Sequence, residues 1–84
     1  MTNTIEKVLV TWHEARFYSG TYKEEAILGH KMALFESIGY LILKDAQTTI
    51  IAAERNDEGE YRDITLIPSG SVTSIRRLSL GSFV

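Results

Sequence analysis

The fold is decided by residues 38–78, which read IGYLILKDAQTTIIAAERNDEGEYRDITLIPSGSVTSIRRL and contain four short runs of β-forming residues. These runs are residues 38–43, 49–55, 61–67 and 72–78, separated by a few turn-forming residues each. Strands at this regular spacing, with no helix-length gap between them, are typical of an antiparallel meander. We expect the meander to close into a small five-stranded barrel once a strand from the N-terminal part is added.

The turns within this stretch support the strand assignment. Residues 44–48 form a polar turn between the second and third strands, and residues 56–60 form the clearest loop in the chain. The Glu58-Gly59 pair in that loop predicts the tight turn of a hairpin. Pro68 ends the fourth strand, because proline has no backbone N–H to donate to a ladder.

Upstream of the meander, residues 6–12 alternate in a way that predicts a first strand. In that strand Val8, Val10 and Trp12 share one face, and Lys7, Leu9 and Thr11 share the other. The pair Ser19-Gly20 then predicts a turn that takes the chain out of the sheet.

A helix is predicted between the first and second strands. Residues 21–24, Thr-Tyr-Lys-Glu, match a capping box and place its start at Tyr22. The predicted helix runs from there to about Glu36. Ile27, Leu34 and Phe35 lie on its apolar stripe, so we expect them to be buried against the second strand.

Length and composition restrict the class of protein. The 84 residues suit one domain, residues 1–84, whose core is small enough for oligomerisation to help stabilise it. The absence of cysteine excludes disulfides and thiolate zinc sites. A formal net charge of -2 argues against a general nucleic-acid or membrane binder. With no signal-peptide pattern and no long apolar run, the expected location is the cytoplasm.

No pattern in the chain indicates catalysis. The two histidines, His13 and His30, are 17 residues apart and lack the spacing of metal ligands on one helix. No Ser-His-Asp order, phosphate-binding glycine loop or carboxylate pair stands out. We therefore predict that the protein is not an enzyme and has no metal site and no cofactor.

Two spaced motifs point to a family. The first has a glycine in strand two, then an apolar residue, an aspartate and a polar residue at fixed intervals, here Gly39, Leu41, Asp45 and Thr49. The second runs from the end of strand four into strand five, here Ile67, Pro68, Ser69, Val72 and Ile75. This spacing resembles the Sm-like family of small, bent five-stranded barrels, which form rings and bind RNA. Within that family, the chain looks similar to small phage and bacterial Sm-like proteins.

The chain departs from the family pattern at several positions. Thr49 stands where the family has asparagine, and Pro68-Ser69 stands where it has Arg-Gly. The family also carries its helix before strand one rather than after it. The framework positions therefore fit the family, whereas the positions that contact RNA differ.

The resemblance implies a homo-oligomeric ring joined through the edges of strands four and five. It also implies that Asp45, Gln47 and Thr49 bind single-stranded RNA at the pore, weakly, because Pro68 replaces the family's arginine. The alternative is a non-enzymatic protein-interaction or assembly module of phage or bacterial origin that binds no RNA. A polar pore lined by Gln47 and Thr49 would favour the first, and an exposed apolar helix the second.

Overall fold

The computed structural model describes residues 5–79. These residues form five β-strands and one short α-helix, which confirms the prediction of a mostly β protein. In chain order the elements are β1 (Lys7–Glu14), α1 (Glu24–Leu28), β2 (Ala33–Lys44), β3 (Thr48–Arg55), β4 (Tyr61–Pro68) and β5 (Val72–Arg77). A single 3-10 turn, Ser69–Ser71, joins β4 to β5.

All five strands belong to one antiparallel sheet with the order β4-β3-β2-β1-β5. The predicted meander is thus confirmed for β2, β3 and β4, while β5 returns to pair with β1. Within the described part of the chain, β4 and β5 are the two outer strands and do not pair with each other. Closure into a barrel is therefore not confirmed for the single chain.

The core lies on one face of this sheet. Val8, Val10, Ile51 and Ile67 are almost completely buried and form one cluster. Because side chains alternate along a strand, Val8 and Val10 share a face with Trp12, which packs partly buried against the cluster. The first strand predicted over residues 6–12 is confirmed, with bounds Lys7–Glu14. Leu41, Val72 and Ile75 complete the cluster as partly buried neighbours.

Gly39 allows β2 to approach β3 closely. A Cβ atom at this position would lie 2.7 Å from the backbone oxygen of Ala52. A side chain there would require backbone to move, since real Cβ atoms essentially never come that close to another heavy atom. Just beyond this point, the register of β2 with β3 shifts between Leu41 and Leu43. A glycine followed by such an irregularity is a common way to bend a strand.

The helix predicted over residues 22–36 is wrong in extent. The observed helix, α1, covers only five residues and is capped by Lys23, with no side-chain capping hydrogen bond. Residues 33–37 instead form the first part of β2 and pair with residues 10–14 of β1. Pairing with β1 satisfies backbone groups on both strands, and this tertiary gain outweighs the local helical pattern.

The expected burial of the helix stripe is also wrong. Ile27, Leu34 and Phe35 are 52%, 60% and 40% exposed, and α1 has no buried residue. Residues 15–32, between β1 and β2, are exposed throughout, and we call this segment the arm. The arm is held together by its own aromatic residues: His30 stacks on Tyr18 at 4.0 Å between ring centroids and meets Tyr22 edge-on at 5.3 Å.

Candidate functional site

Asp45 shapes the turn between β2 and β3. Its Oδ1 atom accepts hydrogen bonds from the backbone N–H groups of Thr48, at 2.7 Å, and Gln47, at 2.9 Å. These two bonds, Thr48 first, lower the pKa of the Asp45 carboxyl from its ordinary value of 3.8. An aspartate that bonds backbone two and three residues ahead is a typical turn former. Asp45 therefore has a clear structural role in the turn, although its side chain is exposed.

Thr49 is enclosed rather than presented to solvent. Only 1% of its surface is exposed, and its hydroxyl lies 2.9 Å from Ser69 Oγ. Ser69 Oγ donates its own hydrogen to the backbone oxygen of Asp45, at 2.8 Å. Since a serine hydroxyl has one hydrogen to donate, Thr49 must be the donor in its bond to Ser69. This chain of bonds joins the β2–β3 turn and Thr49 of β3 to the 3-10 turn between β4 and β5.

Gln47 is the predicted site residue that is most available to a ligand. Its side chain is exposed, while its backbone oxygen accepts the Ser69 N–H at 3.0 Å. Pro68 lies opposite Thr48 in the β3–β4 ladder. The structure thus brings Asp45, Gln47 and Thr49 to one turn, next to Ser69.

Ser69 is the site residue that we did not predict. The signal in the sequence was its position, directly after Pro68 in the second motif, where the family has glycine. A hydroxyl at that position can bond across the turn, and here it does so to both Thr49 and Asp45.

A groove of about 290 Å³ lies beside this turn. Its lining combines one cation with several hydroxyl groups: Lys44, Thr49, Ser69, Val72, Thr73, Ser74 and Ile75. Lys44 comes from the end of β2, and the last four residues come from β5. The groove is therefore a polar surface with a positive charge at one side, suited to weak contact with an anion or a polar ligand.

A second pocket, of about 380 Å³, lies at the opposite end of the β3–β4 hairpin. Two of its charged side chains bind one another: Arg62 donates to Glu54 through Nε at 2.8 Å and Nη2 at 3.0 Å. This hydrogen-bonded pairing is the main reason why the pKa of the Glu54 carboxyl is lowered. Asn56 Oδ1 accepts two further backbone N–H groups of the loop. These contacts stabilise the hairpin.

The face of the sheet opposite the core carries an apolar surface that reaches the edge strand. We call it the outer patch and define it as Leu43, Ile50, Ile64 and Leu66. Leu43, Ile50 and Leu66 lie side by side on β2, β3 and β4. Leu43, Ile64 and Leu66 are 40%, 47% and 64% exposed. An exposed apolar surface on an edge strand is a typical site of protein contact.

The histidines do not meet in one site. His13 lies in β1 opposite Leu34, whereas His30 lies in the arm between Tyr18 and Tyr22. Over residues 5–79, no three His, Cys, Asp or Glu side chains are grouped closely enough to hold a metal ion. In the same residues, no helix has the length and apolar character needed to cross a membrane.

Comparisons with protein-family models, with curated proteins and with solved structures gave no match. Function must therefore be argued from the residues and surfaces described above.

Proposed function

We propose that this chain is a non-enzymatic assembly module whose copies associate through the outer edges of β4 and β5. One observation carries the proposal: in residues 5–79 both edges lack a strand partner, and β4 also exposes Ile64 and Leu66. Unpaired edges with apolar side chains favour association with another chain. Pairing β4 of one copy with β5 of the next would satisfy the backbone groups of both.

Charge favours an antiparallel arrangement of the two edges. The loop before β4 contains the acidic residues Asp57, Glu58 and Glu60, and β5 ends with Arg76 and Arg77. Antiparallel pairing would place these arginines beside the acidic loop of the neighbouring copy. Parallel pairing would instead place them beside the apolar end of β4. Arg77 already binds Glu6 at 2.8 Å, so Arg76 is the better candidate for the contact between copies.

A contact between two different edges is head-to-tail, and repeated head-to-tail contacts close into a ring when the rotation permits. We propose a ring of bent, Sm-like barrels on this basis. The strand order, the close approach at Gly39 and the resemblance of residues 39–75 to the Sm-like motifs support this form.

Light scattering coupled to size exclusion tests the assembly. The parent should be an oligomer at tens of micromolar, and Leu66→Glu should reduce its mass because it places a charge in the interface. Ile38→Glu is the matched control, because Ile38 is 60% exposed, close to the 64% of Leu66, but lies on the central strand β2. A monomeric parent, or equal loss of mass in both variants, would contradict the proposal.

Weak binding of single-stranded RNA is the second candidate function. The exposed Gln47 side chain and the groove containing Lys44, Thr73 and Ser74 favour it. Glutamine can bond a base edge, and lysine can neutralise a phosphate. The net charge of -2 and the proline at position 68 argue for low affinity at each subunit, which repetition around a ring would increase.

Titration of a short single-stranded RNA at low salt separates the two functions. Gln47→Ala and Lys44→Gln should each weaken binding, whereas Arg55→Gln, at the far end of the hairpin, should not. Thr49→Ala is unsuitable as a binding test because Thr49 is buried and bonded to Ser69. If no binding occurs even at low salt, the assembly module remains without the RNA function.

A further inference from the structure

The arm exposes more apolar surface than a solvent-facing connection needs. Phe17 is 89% exposed and Leu28 77%, with Met32 at 62% and Ile27 at 52%. Single exposed apolar residues are common, but four large ones within one 18-residue segment, residues 15–32, form a group. Such groups mark surfaces that contact another molecule.

The arm is also pre-organised. The Tyr18–His30 stack joins its two ends, and Tyr22 Oη donates to the backbone oxygen of Ser19 at 2.8 Å. A surface that is ordered before binding loses less conformational entropy when it binds. The order within the arm therefore favours a binding role.

Within one molecule, the arm and Leu43 of the outer patch lie at opposite ends of β2. The β1–β2 ladder extends to the Glu14–Ala33 pair, where the arm begins. Leu43 lies ten residues further along β2, from position 33 to position 43. At about 3.3 Å per residue this separation is on the order of 30 Å along the strand. This separation within one chain favours an arm from another molecule as the partner of the outer patch.

Charge argues against a membrane or nucleic acid as the partner of the arm. The arm contains three basic residues, Arg16, Lys23 and Lys31, and two acidic residues, Glu24 and Glu25. Surfaces that bind anionic lipid or phosphate carry a clustered positive charge instead. A nearly neutral surface with exposed phenylalanine and leucine fits an apolar protein surface.

We propose that the arm of one copy docks, through Phe17 and Leu28, on the outer patch of a second copy. This inference rests on the proposed assembly and adds a second contact to it. Pairing strands of eight and six residues alone is a small interface. A stable interface buries about 800 Å² on each partner. A buried phenylalanine alone supplies about 150–250 Å², so the arm brings the contact towards that size.

Cysteine cross-linking tests the contact directly, because the chain has no cysteine of its own. Leu28→Cys and Leu66→Cys are purified separately, mixed in equal amounts, exchanged and oxidised. Peptide mapping should identify a disulfide between position 28 of one copy and position 66 of another. The matched control mixes Leu28→Cys with Asp57→Cys, an exposed position outside the outer patch, and should give little product.

A second variant tests the energetic role of the arm. The double variant Phe17→Ser, Leu28→Ser should raise the dissociation constant of the assembly roughly tenfold, because both apolar contact residues become polar. The free energy of unfolding of the dilute protein should not change, because both side chains are exposed in the single chain.

The outcomes separate the two proposals. An oligomeric parent without the 28–66 product, or with position 28 linked mainly to position 28, would overturn the arm contact and leave the edge assembly intact. A monomeric parent would overturn both.

Discussion

The inner face of β1 and the arm that follows it both contain large apolar side chains, but those of β1 are buried and those of the arm are exposed. Val8 and Val10 are 1% and 0% exposed, whereas Phe17 and Leu28 are 89% and 77% exposed. The difference follows from strand pairing: β1 has β2 on one side and β5 on the other, while the arm lies beyond the last pair of the ladder. Burial in this chain is therefore decided by position in the sheet, and apolar residues outside it remain available for contact between molecules.

Truncating one side chain of the buried cluster that contains Val8 and Val10, and one side chain of the arm, should give the largest difference in stability. Ile67 is 0% exposed, so Ile67→Ala should lower the free energy of unfolding by about 2–5 kcal/mol. Leu28→Ala should change it by less than about 0.5 kcal/mol. Urea unfolding of dilute protein measures both. Equal losses would show that the arm packs within the single chain.

Gly39→Ala should have the next largest effect. The added methyl group would lie 2.7 Å from the Ala52 backbone oxygen, so the β2–β3 pairing must shift. Overpacking of this kind costs about 1–3 kcal/mol. Gly70→Ala is the control, since a Cβ atom there meets no atom within 4 Å. Similar unfolding midpoints for the two variants would contradict the close approach of β2 and β3.

Phe35→Ala should lower the free energy of unfolding by less than expected for the buried helix residue that the sequence predicted. Phe35 lies in β2, is 40% exposed and packs on Trp12 at 5.6 Å between ring centroids. Loss of this aromatic contact should cost about 1 kcal/mol. Urea unfolding followed by Trp12 fluorescence measures it. A loss as large as that of Ile67→Ala would mean that Phe35 belongs to the core.

The smallest expected effect concerns pH. The pKa of Asp45 lies below its ordinary value of 3.8 in the folded chain because of the Thr48 and Gln47 N–H groups. The ionised carboxylate therefore stabilises the fold above pH 3.8, and this contribution is lost as pH falls through the folded pKa. Asp45→Asn should thus have a lower free energy of unfolding than the parent at neutral pH, and this difference should narrow as pH falls below 3.8. A gap that widens in acid would contradict this.

The strands were predictable from sequence because their signals are local. Alternation in residues 6–12, the loop at residues 56–60 and Pro68 each depend on neighbouring residues. The extent of the helix was not predictable, because residues 33–37 suit both a helix stripe and a strand. Pairing with residues 10–14 of β1 decides between the two. A contact between distant segments of this kind leaves no local signal.

The candidate site was predictable only in part, for the same reason. Asp45 was identified from its place in the first motif, and it does shape the turn. The burial of Thr49 depends on Ser69, which is 20 residues away in the chain. Such a bond can be recognised only after β4 and the 3-10 turn are in place.

Concentration-dependent amide hydrogen exchange tests the central claim, the pairing of β4 and β5 between copies. The N–H groups on the outer edges of Tyr61–Pro68 and Val72–Arg77 should exchange slowly in concentrated protein and rapidly after dilution, while those of β2 stay protected in both. Edge-strand exchange that is equally rapid at every concentration would contradict the claim.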